Sequence, residues 1–311
     1  MNRSNFLRLM LAGSAAAPFA SRRAYAADAP RKLVLIAGRP SHPPMMHEFR
    51  AGNILLEKRL AAVPGLRVEL HEQGWVKDES TFDDAAAVVF FCDGGEGHPA
   101  VQEQRLALLE KLAQRGVGIG MMHFGVEVKP DKGGPQFRQW IGGHYEHQWS
   151  CNPMWDAAFE KLPAHPICAG VQPFTIHDEW YFNMRFTEGF DSTGPKEIGG
   201  VKFTPILVAK PSDATREGPY VYPKGPYPHI QEAKGRAETM MWAVERPDGG
   251  RGFGFTGGHY HKNWQQDDFR KTILNALCWV TEVEVPADGI ASAAVSDEEL
   301  AQNLDPKQKK K

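Results

Sequence analysis

Three stretches of the chain are apolar at almost every position. They are Lys32 to Gly38 (KLVLIAG), Ala85 to Cys92 (AAAVVFFC) and Val117 to Met122. Continuous apolar runs of this length predict parallel strands covered on both faces, where an alternating pattern would predict strands with one wet face. Leu66 to Leu70 adds a strand, and Thr204 to Ala209 another. Between the runs the spacing changes to a helical period. One helix opens at His47-Glu48 and continues through Leu60, with Ile54, Leu55 and Leu60 inward and Pro64-Gly65 as its stop. A short helix is expected around Thr81 to Asp84. A longer one follows Pro99 and runs to Arg115, with Gly116 ending it. Strands alternating with helices predict an α/β fold, a mostly parallel central sheet with helices on both faces.

The second half is less regular. Phe137 to Ile141 reads as a helical turn, and Trp155 to Phe159 and Phe174 to Phe182 read as strands. Arg216 to Arg236 is rich in Pro, Gly and Tyr and predicts a long loop, a feature that usually serves a site. Met240 to Glu245 and Gly252 to Thr256 form a hairpin around Pro247-Asp248-Gly249-Gly250. An amphipathic helix from Gln265 to Val280 closes one domain, taken as residues 31–287. Residues 288–311 are poor in large apolar side chains; Asp297 to Leu304 reads as a loose helix and the rest as a tail.

Arg3 and Arg8, the apolar Leu9 to Ala20 and the Ala24-Tyr25-Ala26 step predict a signal peptide over residues 1–26, hence an exported, periplasmic protein. That apolar run is too short to span a bilayer, and no span is expected in the mature chain. A net charge of −2 over 311 residues offers no nucleic-acid surface. The four cysteines lack metal-site or disulfide-framework spacing. Cys92 and Cys278 read as buried thiols, and a Cys151–Cys168 bridge is left open.

Histidine is the informative residue. Nine of the twelve (His42, His47, His98, His123, His144, His147, His177, His259 and His261) fall after strands or in inserted loops. Imidazole is the commonest metal ligand and titrates near neutrality. The i, i+2 spacing of His259 and His261 places two rings on one face of an extended segment. The segments around His42, His123, His147 and His177 are expected to meet them. Each such histidine also has a plainer use, capping a backbone carbonyl. Asp93 ends a strand before Gly94, Gly95 and Gly97, and reads either as a general base or as an Asx turn. Glu179, among Trp180, Tyr181 and Phe182, would be partly desolvated, which suits a general acid; a solvent-facing strand acid is the alternative. Glu127 reads as facing water. No GxSxG motif and no phosphate-binding fingerprint is present, so no nucleotide cofactor is expected.

The stretches VLIAGRPSHPPMMHEF, VVFFCDGGEGHPAVQ, GVGIGMMHFGVEV, WIGGHYEHQWS, HPICAGVQPFTIHDEWYFNMRF and MWAVERPDGGRGFGFTGGHYHKNWQQDDFRKTILNALCW together resemble the ThuA-like (trehalose utilisation) family, in an exported bacterial form. The resemblance spans most of Leu33 to Pro286. It implies a flavodoxin-like fold similar to class I glutamine amidotransferases. His123 then stands at or beside the position of their nucleophilic cysteine, so glutamine hydrolysis is not implied. The family is associated with disaccharides, in particular 3-keto sugars made by a partner dehydrogenase. Its polar signature falls on His47 or His42, His123, His147, Glu179 and His259.

The expectation is an exported carbohydrate-processing enzyme working on a disaccharide or 3-keto-glycoside by hydrolysis, elimination or isomerisation. A divalent metal would be held by two or three of His123, His147, His259 and His261. Glu179 or Asp93 would move the proton, with His123 and His47 as further catalytic candidates. His42 and His47 would bind sugar hydroxyls or join the metal. Trp149, Trp180 and Trp264 would stack on the ring. The rival is a sugar-binding or accessory protein with no chemistry; a hydrolase using Cys92 is a third reading.

Overall fold

The computed structural model describes residues 29–307. The proposed signal peptide and the last four lysine-rich positions lie outside them. The chain runs β1 (Arg31–Ala37), α1 (Phe49–Leu60), β2 (Leu66–His71), β3 (Ala85–Phe91), α2 (Arg105–Gln114), β4 (Gly118–Met122) and α3 (Gly134–Ile141). It continues through β5 (Gly143–His144), β6 (Met154–Phe159), β7 (Phe174–Glu179), β8 (Arg185–Phe186), β9 (Lys196–Ile198) and β10 (Val201–Ala209). It closes with α4 (Asp213–Glu217), α5 (Pro228–Gln231), β11 (Glu238–Glu245), β12 (Arg251–Phe255), α6 (Asp267–Val280) and α7 (Asp297–Leu300).

Eight strands form the central sheet in the order β2-β1-β3-β4-β12-β11-β10-β9. The first five are parallel, and β11, β10 and β9 complete the sheet antiparallel. The apolar runs explain this. Every residue of β3 and β4 is buried, because α1 and α6 cover one face and α2 and α3 the other. Leu33 and Leu35 of β1 face α1 and α6, while Val34 and Ile36 face the α2 side. Edge strand β2 alternates polar and apolar residues and is only partly buried. This is the expected mostly parallel α/β sheet, with the expected β11–β12 hairpin.

Several local readings shift. The helix expected from Pro99 begins as a 3₁₀ turn, Pro99–Val101, and becomes α-helical only at Arg105. Strand β7 ends at Glu179 and pairs with β6 in a separate two-stranded ribbon. The loop after Arg216 contains the short helix α5. Cys151 and Cys168 are free thiols, the first inside the core, so the bridge is not formed. The segment read as a tail is packed: Ile290, Val295 and Leu300 are buried against the α1–α6 face. Few large apolar residues suffice here because each lands on an apolar face already built.

The parallel register brings the C-terminal ends of β1, β3, β4 and β12 to one rim of the sheet. In open α/β sheets this rim is where ligands bind. The loops carrying His42 and His47, Asp93, His123 and His259 all leave from it.

Candidate metal centre

Each side chain of the site is aimed by its own strand end. Directly after β4, His123 takes a left-handed backbone, φ 53°, in a tight 3₁₀ turn. His47, at φ 48°, stands at the entrance to α1. Such backbone costs about 1–3 kcal/mol in a non-glycine residue and gathers at functional sites. His259 follows Gly258, whose φ of 109° suits glycine. The buried Asp178 carboxylate fixes that turn, accepting from the Gly258 N–H at 2.7 Å and the His259 N–H at 3.1 Å. The His47 N–H donates to the His259 carbonyl at 3.0 Å, tying the two loops together. Glu179, at the end of β7, reaches in from the ribbon.

Four buried donor atoms converge. His47 Nε2 lies 2.9 Å from His259 Nδ1 and 3.0 Å from His123 Nε2. Glu179 Oε2 lies 2.7 Å from His259 Nδ1, 3.6 Å from His123 Nε2 and 3.9 Å from His47 Nε2. A tetrahedral shell with metal–ligand bonds of about 2.0–2.1 Å has ligand–ligand edges of about 3.3 Å, within the span of these separations.

The proton count also favours a cation. His123 Nδ1–H donates to the Thr256 carbonyl at 2.8 Å. Burial, helped by the neighbouring His47 and His259, holds that ring well below the usual histidine range, so it is neutral and its Nε2 carries a lone pair. Burial likewise lowers His47 to about 3. Its Nδ1 faces Asp93 Oδ1 at 3.4 Å. If that nitrogen carries the proton, two bare nitrogens oppose each other at 3.0 Å. If the other does, a bare nitrogen faces a carboxylate oxygen. A cation placed there would remove the clash by taking both lone pairs, and Asp93 and Thr256 stand where the outer hydrogen-bond partners of ligating histidines commonly do.

The surroundings complete the shell. Ser41 Oγ–H donates to Asp93 Oδ1 at 2.8 Å, and His42 stacks on His47 with ring centroids 3.6 Å apart. Asn152 Nδ2 donates to Glu179 Oε1 at 2.8 Å, so both oxygens of that carboxylate are engaged. Tyr181 Oη is 3.3 Å from His123 Nε2.

A family model named ThuA, described as trehalose utilisation, matches residues 45–280. The chain belongs to the ThuA family. The match takes in all four converging residues as well as Asp93. Among solved structures the chain is similar to a ThuA-like protein of Bacteroides uniformis, at 14% identity over 83% of this chain and 94% of that one, TM-score 0.55. It is also similar to one of Parabacteroides merdae, at 17% identity over 88% and 100%, TM-score 0.54. At these identities the likeness carries the fold. No curated protein matches the chain.

Of the residues singled out in this ThuA-family sequence, the structure gathers His47, His123, Glu179 and His259, with His42 and Asp93 beside them. It places others elsewhere. His261 is buried but turned away: a 3₁₀ turn begins at that residue, so the i, i+2 alternation ends there. Its surroundings are Glu48 and the Leu300 backbone, and burial lowers it to about 4. His147 lies at the rim, 41% exposed, and is outside the four-donor set. His98 caps a turn, accepting from the Ala100 N–H at 3.0 Å, and His177 pairs with Asp156 at the surface. Trp180 and Trp264 are core residues, closed to a sugar ring. Trp149 packs against the Arg185 guanidinium at 3.7 Å and stacks on the His229 ring at 4.8 Å, so its ring is already engaged within the protein. Cys92 is buried with its thiol pKa pushed well up, unsuited to act as a nucleophile. No helix among the described residues is long and apolar enough to cross a membrane.

Proposed function

We propose that this protein is an exported, metal-dependent enzyme of carbohydrate metabolism. Its substrate is a disaccharide or 3-keto-glycoside, and its metal site is His47, His123, Glu179 and His259. The observation that carries the reading is the meeting of three imidazole nitrogens, from three separate rim segments, with one carboxylate oxygen from the end of β7, with too few protons to satisfy one another. Three imidazoles with one carboxylate suit a first-row divalent ion. Held by His47, His123, Glu179 and His259, such an ion would supply Lewis acidity, to polarise a substrate carbonyl or to lower the pKa of a water.

The chain's own groups do the rest. Glu179, held at both oxygens, serves as a ligand, and Asn152 sets its orientation. Asp93 holds the His47 ring, and its half-open carboxylate with His42 offers hydrogen bonds to substrate hydroxyls. The sugar assignment and the partner dehydrogenase that would supply a keto-sugar rest on the family description. Export rests on the apolar leader before Ala27. The test is turnover of 3-keto-trehalose by the purified protein. Turnover is expected to vanish on chelation, return with Zn²⁺ or Mn²⁺, and be absent in His259→Ala. Turnover that survives both chelation and His259→Ala at the wild-type level would overturn the reading.

A further inference from the structure

The loop between β1 and α1 presents His47 from strained backbone. Three of its non-glycine residues, His42, Met45 and His47, take left-handed φ angles of 59°, 67° and 48°. Backbone of this kind persists only where its surroundings over-determine it. Part of the restraint comes from nearby. The Met45 N–H donates to Glu48 Oε1 at 2.8 Å, and the Met45 carbonyl accepts from the His261 N–H at 2.9 Å. The His47 N–H donates to the His259 carbonyl at 3.0 Å. The carbonyls of Met46 and His47, one on each side of the ligand residue, are held from the far end of the chain. Both accept from the ammonium of Lys307.

The orientations of two rigid peptide planes, 46–47 and 47–48, set φ and ψ of His47. Lys307 Nζ binds one oxygen of each plane, that of His47 at 3.0 Å, while the His259 carbonyl binds the N–H edge of the first. With both planes held, only the side-chain torsions of His47 remain free to aim its ring. The third ammonium donor faces Glu48 Oε1 at 3.2 Å, so all three are used. The Lys307 and Glu48 side chains are 3% and 1% exposed, so water screens neither charge. An ammonium leaves water only at a large desolvation cost, offset here by the carbonyls and carboxylate of the ligand-bearing loop. The segment that delivers Lys307 is itself fastened down. Glu299 pairs with Arg59 at 2.7 Å, the Asn303 carbonyl accepts from Arg50 Nη1 at 2.8 Å, and the Asp305 N–H donates to Glu48 Oε2 at 3.1 Å. This strap lies outside residues 45–280, the part that matches the family model.

We propose that Lys307 is a positioning residue of the metal centre: from the C-terminal strap its ammonium fixes the backbone on both sides of His47 and so aims Nε2 at the other three donors. This role rests on the metal-centre reading and adds to it a residue that touches no ligand atom. Asp93 steadies the His47 ring from its Nδ1 side, and Lys307 steadies the backbone that carries the ring. The coupling is reciprocal, so an ion on His47 also tightens the strap.

The test compares wild type, Lys307→Met, and Lys307→Met combined with Glu48→Gln, which leaves no unpaired buried charge and so guards against simple failure to fold. Zn²⁺ affinity is measured by chelator competition on the folded protein. Both variants are expected to bind Zn²⁺ about tenfold more weakly than wild type, the lower end of the effect of losing an outer support of a metal ligand. Wild-type affinity in the double variant would mean that only the unpaired charge had mattered, and would overturn the proposal. A second readout needs no metal. In chelated protein, amide hydrogen exchange over Met46–Glu48 is expected to quicken in the double variant at least tenfold more than exchange over β11. A rise no larger at Met46–Glu48 than in β11 would show Lys307 to be a support of the whole fold and would overturn the positioning role. A wild type that takes up no Zn²⁺, with local exchange quickened as expected, would refute the metal centre while leaving the hold of Lys307 on the loop in place.

Discussion

Replacing Glu127 with glutamine is expected to stabilise the metal-free protein, and only above acid pH. Burial, and secondarily the charge of Glu179, pushes the Glu127 carboxyl up from 4.5 to about 7. The side chain is 17% exposed, so solvent screens little of this. The folded-state pKa is raised above the unfolded one, so the associated stability is fully present below about pH 4.5. It is lost as pH rises through about 7. At about 1.4 kcal/mol per pKa unit the loss is about 3 kcal/mol by pH 8. Glutamine cannot ionise and escapes it. Near pH 4.5 the variant and wild type should unfold together. At pH 8 Glu127→Gln should unfold about 6 °C higher, at about 2 °C per kcal/mol for a chain of this size. The assay is thermal unfolding by circular dichroism between pH 4.5 and 8, with chelator present, because a cation on Glu179 removes the second cause. The Tyr145 and Tyr227 phenols, both raised by burial and by the Glu127 charge, stay protonated across this range and do not contribute to the difference. A pH-independent difference, or a variant less stable at pH 8, would refute the reasoning. A group kept at such a cost is one whose loss should also weaken function.

Two further outcomes follow from the supports of the site. Asp93→Ala removes the outer partner of His47, and metal affinity measured by chelator competition should fall about 10–100-fold with the fold retained; an unchanged affinity would mean that Asp93 does not orient the ligand. The Lys307 side chain is buried, and its ammonium donates to the Met46 and His47 carbonyls and pairs with Glu48 at 3.2 Å. Lys307→Met leaves the Glu48 charge uncompensated, and chemical denaturation should show a loss of about 3–5 kcal/mol. A loss under about 1 kcal/mol would show the strap to be passive.

Much of the framework was legible in the chain. Apolar runs ending at Gly38, Cys92, Met122 and Thr256 placed four strand ends, and the parallel arrangement they implied put His123 and His259 on one rim. The family resemblance rested on those same segments. The misplaced residues share a physical origin, since period-based reading fails where the backbone coils into 3₁₀ turns. One such turn starts at His261 and swings it toward Glu48, and another carries Glu127 back toward the site when its sequence position suggested water. Tryptophan serves cores as readily as sugar sites, and no periodicity marked Trp180 and Trp264 as interior. Glu179 arrives from a ribbon outside the central sheet, so its approach to His259 depends on tertiary packing alone. Lys307 came from a stretch that composition marks as a tail.

The claim on which the rest depends is that the four converging side chains hold a divalent ion. The most direct measurement is metal per chain by mass spectrometry, after exposure of the purified protein to Zn²⁺ or Mn²⁺ and removal of unbound ion. The account predicts about one ion per folded chain in wild type and none retained in His259→Ala or His123→Ala. A folded wild-type chain that retains no ion, or variants that retain as much as wild type, would contradict it.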